Sequence, residues 1–126
     1  MRLLSYEEAL YIHDRTIHAH GGTPGIRDAG ALESALIAVR NRQLYEDATM
    51  IQCAATYAYH LSQAHAFLDG NKRIAAMATE IFLALNGFEL HASNDELADL
   101  FLGIAASEIS RAQIEQQLTA WATTKN

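Results

Sequence analysis

The sequence predicts an all-α fold, a compact bundle of about six helices in a single domain, 1–126, with one buried helix at its centre. Apolar residues recur at helical spacing through most of the chain, and three capping boxes mark helix starts. One proline and seven glycines in 126 residues leave little room for the turns of an all-β fold. Half of the residues are apolar, which is enough for a real core.

The first helix begins at a capping box, Ser5–Glu8, in which the serine and the second glutamate satisfy each other's free N–H groups. It is predicted to run to about Ala19 and to stop at Gly21-Gly22. An irregular loop follows.

Asp28 can cap the second helix, and residues 41–47, NRQLYED, are predicted to form a polar connection to the third. The third helix should begin at about Thr49. The expected core positions of these two helices are Leu32, Ala35, Leu36, Val39, Ile51, Ala54, Ala55, Ala58 and Leu61.

The fourth helix is predicted over 71–85, with Asn86-Gly87 as its C-terminal cap. It is apolar nearly all round, so it should lie at the centre of the bundle. Two further capping boxes, Ser93–Glu96 and Ser110–Gln113, open the last two helices. The core face of the final helix would consist of Ile114, Leu118 and Trp121, with Ile109 stapled to Ile114.

Composition and charge exclude several classes of protein. The formal net charge is −6 and the basic residues are scattered, which disfavours nucleic-acid binding. Cys53 is the only cysteine, so neither a disulfide framework nor a thiolate metal site is expected. The N-terminus does not resemble a signal peptide, and no stretch is long and apolar enough for a membrane span. We therefore expect a soluble cytoplasmic domain.

The stretch HAFLDGNKR, residues 65–73, carries an unusual set of polar residues to the start of the apolar fourth helix. A helix N-terminus has free N–H groups and a partial positive charge, so it attracts anions. Lys72 and Arg73 add charge suited to phosphate oxygens, and Gly70 would let an anion approach the backbone. The alternative is a solvated basic turn, although cations at this end oppose the helix dipole.

Three other residues of this stretch complete the hypothesis, and each has a structural alternative. Asp69 could hold Mg²⁺ together with substrate phosphate, or it could cap the helix or pair with Arg73. His65 could act as the general base for a hydroxyl, or it could be a structural histidine at a helix end. Phe67 should anchor the loop in the core.

Together these residues predict transfer of a phosphorus-containing group onto a hydroxyl. The chain contains neither a Walker A loop nor a kinase glycine-rich loop. The histidines also lack zinc-site spacing, and there is no HExxH.

Residues 65–73 resemble the signature of the Fic/Doc family, HxFx(D/E)GNxR, and Lys72 resembles the Doc (death on curing) branch. The stretches HGGTPGIRDAGALESAL and LALNGFEL also resemble Doc-family sequences, so the resemblance covers nearly the whole chain.

The resemblance implies a Fic-type helical core and a toxin that a separate antitoxin silences. It also implies transfer of the γ-phosphate of ATP to a hydroxyl of a translation factor, elongation factor Tu. On this pattern His65 is the catalytic base and Asp69 holds Mg²⁺. Asn71, Lys72 and Arg73 would cradle phosphates, with Lys72 and Arg73 also serving catalysis.

Two departures separate this chain from the nucleotide-transferring branch, which resembles HxFx(D/E)GNGRxxR. Lys72 replaces the second glycine, and Ala76 stands in place of the last arginine. A long ammonium side chain and the loss of a phosphate clamp favour a differently oriented nucleotide. AMP transfer to a protein hydroxyl and a non-catalytic binding module stay open as alternatives.

The resemblance also suggests where partners would bind. Residues 40–47 would occupy the family's target-docking flap. The inhibitory (S/T)xxxE(G/N) motif is absent, so control would come from a separate antitoxin. The apolar stretches 83–90 and 97–106 predict an open groove beside the active site for a helix of that antitoxin.

Overall fold

The computed structural model describes residues 1–125, so the last residue of the predicted domain, Asn126, lies outside the described part. The helices are α1 (Tyr6–His20), α2 (Ala29–Glu46), α3 (Met50–Ala64), α4 (Asn71–Leu85), α5 (Asn94–Ala105) and α6 (Arg111–Trp121). Two short strands, β1 (Phe88–Leu90) and β2 (Ala122–Thr124), complete the chain as described. The all-α prediction with six helices is confirmed.

Side-chain caps explain where most helices begin. Ser5, Ser93 and Ser110 all form the predicted capping boxes. Asp28 caps α2 as expected, and Thr49 forms a fourth box with Gln52 at the start of α3. Each cap satisfies N–H groups that would otherwise lack a partner, at a typical value of about 1 kcal/mol.

The polar connection predicted over residues 41–47 is wrong, because α2 continues through Glu46. The helix continues because the Arg42 side chain makes contacts inside the fold. Its Nη1 donates to the carbonyl of Gln52 and the hydroxyl of Thr56, both at 3.0 Å, and pairs with Glu115 at 2.8 Å. This arginine joins α2 to α3 and α6. The segment expected to resemble a docking flap is therefore mostly helical.

The most central helix is α3, whereas α4 was expected at the centre because its sequence is apolar nearly all round. α3 packs against α2, α4, α5 and α6, and eight of its fifteen residues are buried. α4 packs against α1, α3, α5 and β1, and its Met77 and Leu85 reach the surface. Small residues on α3, including Ala54, Ala55 and Ala58, let neighbouring helices approach it on several sides. The apolar content of α4 did not reveal that α3 is the more central helix.

The strands β1 and β2 were not predicted. They pair antiparallel with Phe88 opposite Thr124 and Leu90 opposite Ala122. Three residues are too few to show the alternation that marks a strand, and the partner lies more than thirty residues away. This pairing fastens the end of α6 to the end of α4.

Tyr57 gives the bundle a predictable response to high pH. Its side chain is 1% exposed, and its hydroxyl accepts a hydrogen bond of 2.8 Å from the Leu4 N–H. Burial raises the pKa of Tyr57 from 10.0 to about 12. The neutral phenol therefore stabilises the fold fully below pH 10, and this contribution is lost as the pH rises from about 10 towards about 12.

We expect the unfolding free energy to fall by up to about 1.4 kcal/mol per pH unit in that interval. Denaturant titrations at several pH values measure this fall. Tyr57→Phe should be less stable at pH 8 by about 1–3 kcal/mol, because the Leu4 N–H loses its partner. The variant should then lose less stability than the wild type above pH 10. Parallel curves for the two proteins would contradict the assignment.

Candidate active site at the start of α4

A six-residue loop, residues 65–70, connects α3 to α4 and is called the site loop. It begins with His65 at φ 48° and ends with Gly70 at φ 76°, so both ends are left-handed and the chain reverses sharply.

The site loop is bonded to a second loop, residues 21–28, called the glycine loop. Ile26 and Phe67 form an antiparallel bridge, and the Leu68 N–H donates to the Gly25 carbonyl at 3.1 Å. The two loops therefore form one unit.

Phe67 and Asn71 hold the site loop to the rest of the molecule. Phe67 is 3% exposed, which confirms the prediction that it anchors the loop in the core. The Asn71 side chain accepts from the Phe67 N–H at 3.1 Å and donates to the Phe67 carbonyl at 2.9 Å. Since both ends of this amide bond to one residue, the side chain fixes the loop. The phosphate-cradling role expected of Asn71 would therefore fall to its backbone N–H, because its side chain is engaged with Phe67.

Asp69 presents an exposed carboxylate whose direction is set by the backbone. Its Oδ1 accepts from the Gly70 N–H at 2.8 Å, and its Oδ2 accepts from the Thr23 N–H at 3.1 Å. These two bonds, with a smaller contribution from Arg73, lower the pKa of Asp69 below its usual value. The carboxyl group therefore stays charged near neutral pH, and each oxygen keeps a lone pair for a cation.

Neither structural alternative for Asp69 describes what it does here. The N-cap of α4 is Gly70, and no side chain caps this helix. Within residues 1–125, Asp69 forms no ion pair with Arg73. The carboxylate instead orients itself on the turn, and the first N–H groups of α4 are left without a side-chain partner.

The start of α4 thus has the features of an anion site. The other five helices of the described chain have a side-chain cap, whereas α4 has none. Lys72 and Arg73 are exposed in its first turn and form no ion pair within residues 1–125. Free N–H groups and two cations at a helix N-terminus suit a phosphate.

Gly70 is required for a reason that the sequence did not reveal. Its φ of 76° is rarely adopted by other residues, and a Cβ there would lie 3.3 Å from Ile17 Cδ1 and 3.6 Å from His13 Nε2. The missing side chain would point towards α1. The glycine therefore allows α1 and the turn to approach closely, in addition to any role in admitting an anion.

His65 is exposed at the end of α3, so its imidazole does not point into the protein interior. It lies on the same six-residue loop as Asp69. Because the imidazole is exposed, it is open to solvent.

His13 is a residue of the site that sequence reasoning missed. It lies on α1, is 4% exposed, and stacks on Phe67 with ring centroids 3.7 Å apart and planes 13° apart. Its Nε2 is 2.8 Å from the Asp69 carbonyl oxygen. A signal was present: position 13 shares the buried face of α1 with Ala9 and Ile17, and a histidine on such a face needs a polar partner.

Residues 1–125 contain no cluster of three or more histidine, cysteine or acidic side chains that could hold a metal ion. The single carboxylate on the site loop does not suit zinc, which is usually held by three or four protein side chains. It fits Mg²⁺, which is commonly held by one or two carboxylates together with substrate phosphates and water. Asp69 is the carboxylate that could serve.

No helix in the described chain is both long and apolar enough to cross a bilayer.

The chain is thus a helical bundle with an uncapped basic start to α4, and an oriented carboxylate and an exposed histidine lie on the loop before it. A family model described as the Fic/DOC family matches residues 3–83. The chain is 39% identical over 119 residues to the protein kinase doc of Escherichia phage P1, and the match covers 94% of each chain. It is 32% identical over 108 residues to the toxin Doc of Mycolicibacterium smegmatis, covering 82% of this chain and 83% of that relative. This protein belongs to the Fic/Doc family.

Proposed function

We propose that this protein is a Doc-type toxin that transfers the γ-phosphate of ATP to a hydroxyl of a protein, with elongation factor Tu as the expected target. The observation that carries the proposal is the arrangement of the site loop. An exposed His65 and a backbone-oriented Asp69 belong to one six-residue loop, and the uncapped start of α4 follows it directly. The relatives named a toxin and a protein kinase support the same reading.

Each residue has a distinct task in this proposal. The imidazole of His65 accepts the proton of the acceptor hydroxyl while the hydroxyl oxygen attacks the γ-phosphorus. A new O–P bond forms, the bond from the γ-phosphorus to the bridging oxygen breaks, and ADP leaves. The N–H groups of the first turn of α4, with Lys72 and Arg73, hold the phosphates. Mg²⁺ bound at Asp69 would neutralise phosphate charge.

Lys72 and Ala76 favour phosphate transfer over AMP transfer. Lys72 is exposed beside the first N–H groups of α4, where its side chain takes space and adds charge. Ala76, on the next turn, offers no charge to clamp outer phosphates. A nucleotide that presents its γ-phosphate to His65 suits this arrangement.

The test is to incubate the pure protein with elongation factor Tu, ATP and Mg²⁺ and to measure the mass of the acceptor. We expect a gain of one phosphoryl group, because His65 would direct the hydroxyl to the γ-phosphorus. A gain of one adenylyl group would favour the AMP-transfer alternative. An unchanged acceptor together with measurable ATP binding would favour a binding module. A catalytically dead His65→Asn preparation is the control for contaminating kinases.

We also propose that an antitoxin binds a surface of mixed apolar and charged residues formed by α4 and β1, as the name of the toxin relative suggests. A depression of about 320 Å³ there is lined partly by Met77, Ile81 and Phe88. It begins about 9 Å along α4 from Asn71 and has lining residues from 83–90 but none from 97–106, so it matches the predicted groove beside the active site only in part. Antitoxin binding that leaves these residues as accessible to hydrogen exchange as before would contradict the proposal.

A further inference from the structure

His13 has a role that the proposed function does not yet use. A histidine that is 4% exposed must satisfy its ring N–H, since an unpaired buried donor costs about 1–3 kcal/mol. Its Nε2 lies 2.8 Å from a carbonyl oxygen, that of Asp69. A carbonyl can only accept, so Nε2 carries the proton and donates.

This hydrogen bond holds the Asp69–Gly70 peptide unit, whose carbonyl and N–H both have hydrogen-bond partners. The carbonyl of Asp69 and the N–H of Gly70 belong to the same planar group, so fixing one fixes the other. His13 holds the carbonyl, and the N–H donates to Oδ1 of Asp69 at 2.8 Å. The direction of the Asp69 carboxylate therefore depends on His13, although the two side chains make no hydrogen bond to each other.

The same imidazole also packs against Phe67 in the middle of the site loop. Its ring stacks on Phe67 with centroids 3.7 Å apart, and the backbone of Phe67 is held by Asn71. His13 thus contacts the loop at its anchor and at the turn into α4. A purely apolar side chain of similar size could stack on Phe67, but it could not hold the carbonyl.

We propose that His13 is a positioning residue that aims the Asp69 carboxylate and the first turn of α4 at the metal–nucleotide substrate through the Asp69–Gly70 peptide. This inference rests on the proposed function. It separates two tasks of His13: stacking, which supports the fold, and donation to the carbonyl, which orients the site.

Two substitutions separate these tasks. His13→Phe keeps a flat ring for Phe67 and removes the donor, whereas His13→Gln keeps an N–H donor near the position of Nε2. Tyr57→Phe is the control, because it also removes one buried hydrogen bond but lies away from the site loop. Three properties are measured for each variant: the melting temperature, the KM and kcat with Mg·ATP, and the amide ¹H–¹⁵N signals of Gly70 and Thr23.

We expect His13→Phe to raise the KM for Mg·ATP by about 10–100-fold, as loss of a group that orients a metal ligand commonly does. The Gly70 and Thr23 signals should move with it. His13→Gln should restore most of both properties, and Tyr57→Phe should lower the melting temperature without changing either. A His13→Phe protein that is merely less stable, or a glutamine variant no better than phenylalanine, would overturn the proposal.

The outcome does not depend on the transfer reaction being found. If the wild type modifies no acceptor, the proposed function fails, and Mg·ATP affinity by calorimetry replaces KM. If the wild type also binds no Mg·ATP, the carboxylate has no substrate to face and the positioning role is rejected; if it binds Mg·ATP, the amide signals are compared as above. Unmoved Gly70 and Thr23 signals in His13→Phe would then reject the positioning role.

Discussion

Replacing His65 with asparagine is expected to lower the rate of phosphate transfer by about 10²–10⁴-fold, the usual contribution of a general base. His65 is exposed, so its loss leaves no cavity in the core. Its φ of 48° makes asparagine a better choice than alanine, because asparagine tolerates the left-handed region. The variant should therefore melt close to the wild type while losing activity, which thermal unfolding and initial-rate assays will measure.

His18→Asn is the matched control for this experiment. His18 is also an exposed histidine, but it lies on α1 and its ring bonds to the Asp14 carbonyl of its own helix. Its substitution should leave the transfer rate unchanged. ATP binding by the His65 variant should also persist, since the proposed function assigns the phosphates to α4. Transfer at the wild-type rate without His65 would show that another group accepts the proton.

The parts of this molecule that could be predicted from sequence are those that depend on neighbouring residues. A capping box needs residues only three positions apart, so Ser5, Ser93 and Ser110 could be assigned to helix starts. The stretch 65–73 is also local, which is why His65 and Asp69 could be proposed as functional together.

Interactions between distant segments could not be predicted in the same way. The donor to the Asp69 carbonyl comes from His13, 56 residues earlier, and the N–H that holds its Oδ2 comes from Thr23, 46 residues earlier. No periodicity reports which loop will meet which helix. Arg42 is a similar case: as a sequence feature it indicates a polar surface, yet its contacts with α3 and α6 explain why α2 continues past residue 41.

The glycine loop shows how such a distant segment contributes to the site. Gly22 has φ 116°, and a Cβ at this position would lie 2.7 Å from Oδ2 of Asp69 and 3.2 Å from Cδ1 of Ile17. Gly21 also has a positive φ, 79°, but a Cβ there would meet nothing within 4 Å. The two adjacent glycines therefore share a backbone requirement, while only one of them makes room for the carboxylate. This difference allows the role of Asp69 to be tested without removing its charge.

Asp69→Asn is expected to lower the transfer rate by about 10²–10³-fold, since Mg²⁺ typically supplies several kcal/mol of charge stabilisation to phosphate transfer. Asparagine has the same shape but is neutral, and its NH₂ would face one of the two N–H groups that now bond to the carboxylate. Added Mg²⁺ should not restore activity. Initial rates measured over a range of Mg²⁺ concentrations will test this.

Gly22→Ala should displace the charged carboxylate rather than remove it, so more Mg²⁺ should be needed for half-maximal activity and high Mg²⁺ should restore part of the rate. Gly21→Ala introduces a comparable backbone strain without the collision, and it should leave the Mg²⁺ response unchanged. If both alanine variants respond to Mg²⁺ alike, strain in the loop explains the effect. If Asp69→Asn keeps the wild-type rate and Mg²⁺ response, the metal must be held without this carboxylate. The combination of a Mg²⁺-sensitive Gly22 variant, an unaffected Gly21 variant and an inactive Asp69 variant requires an oriented carboxylate at the metal.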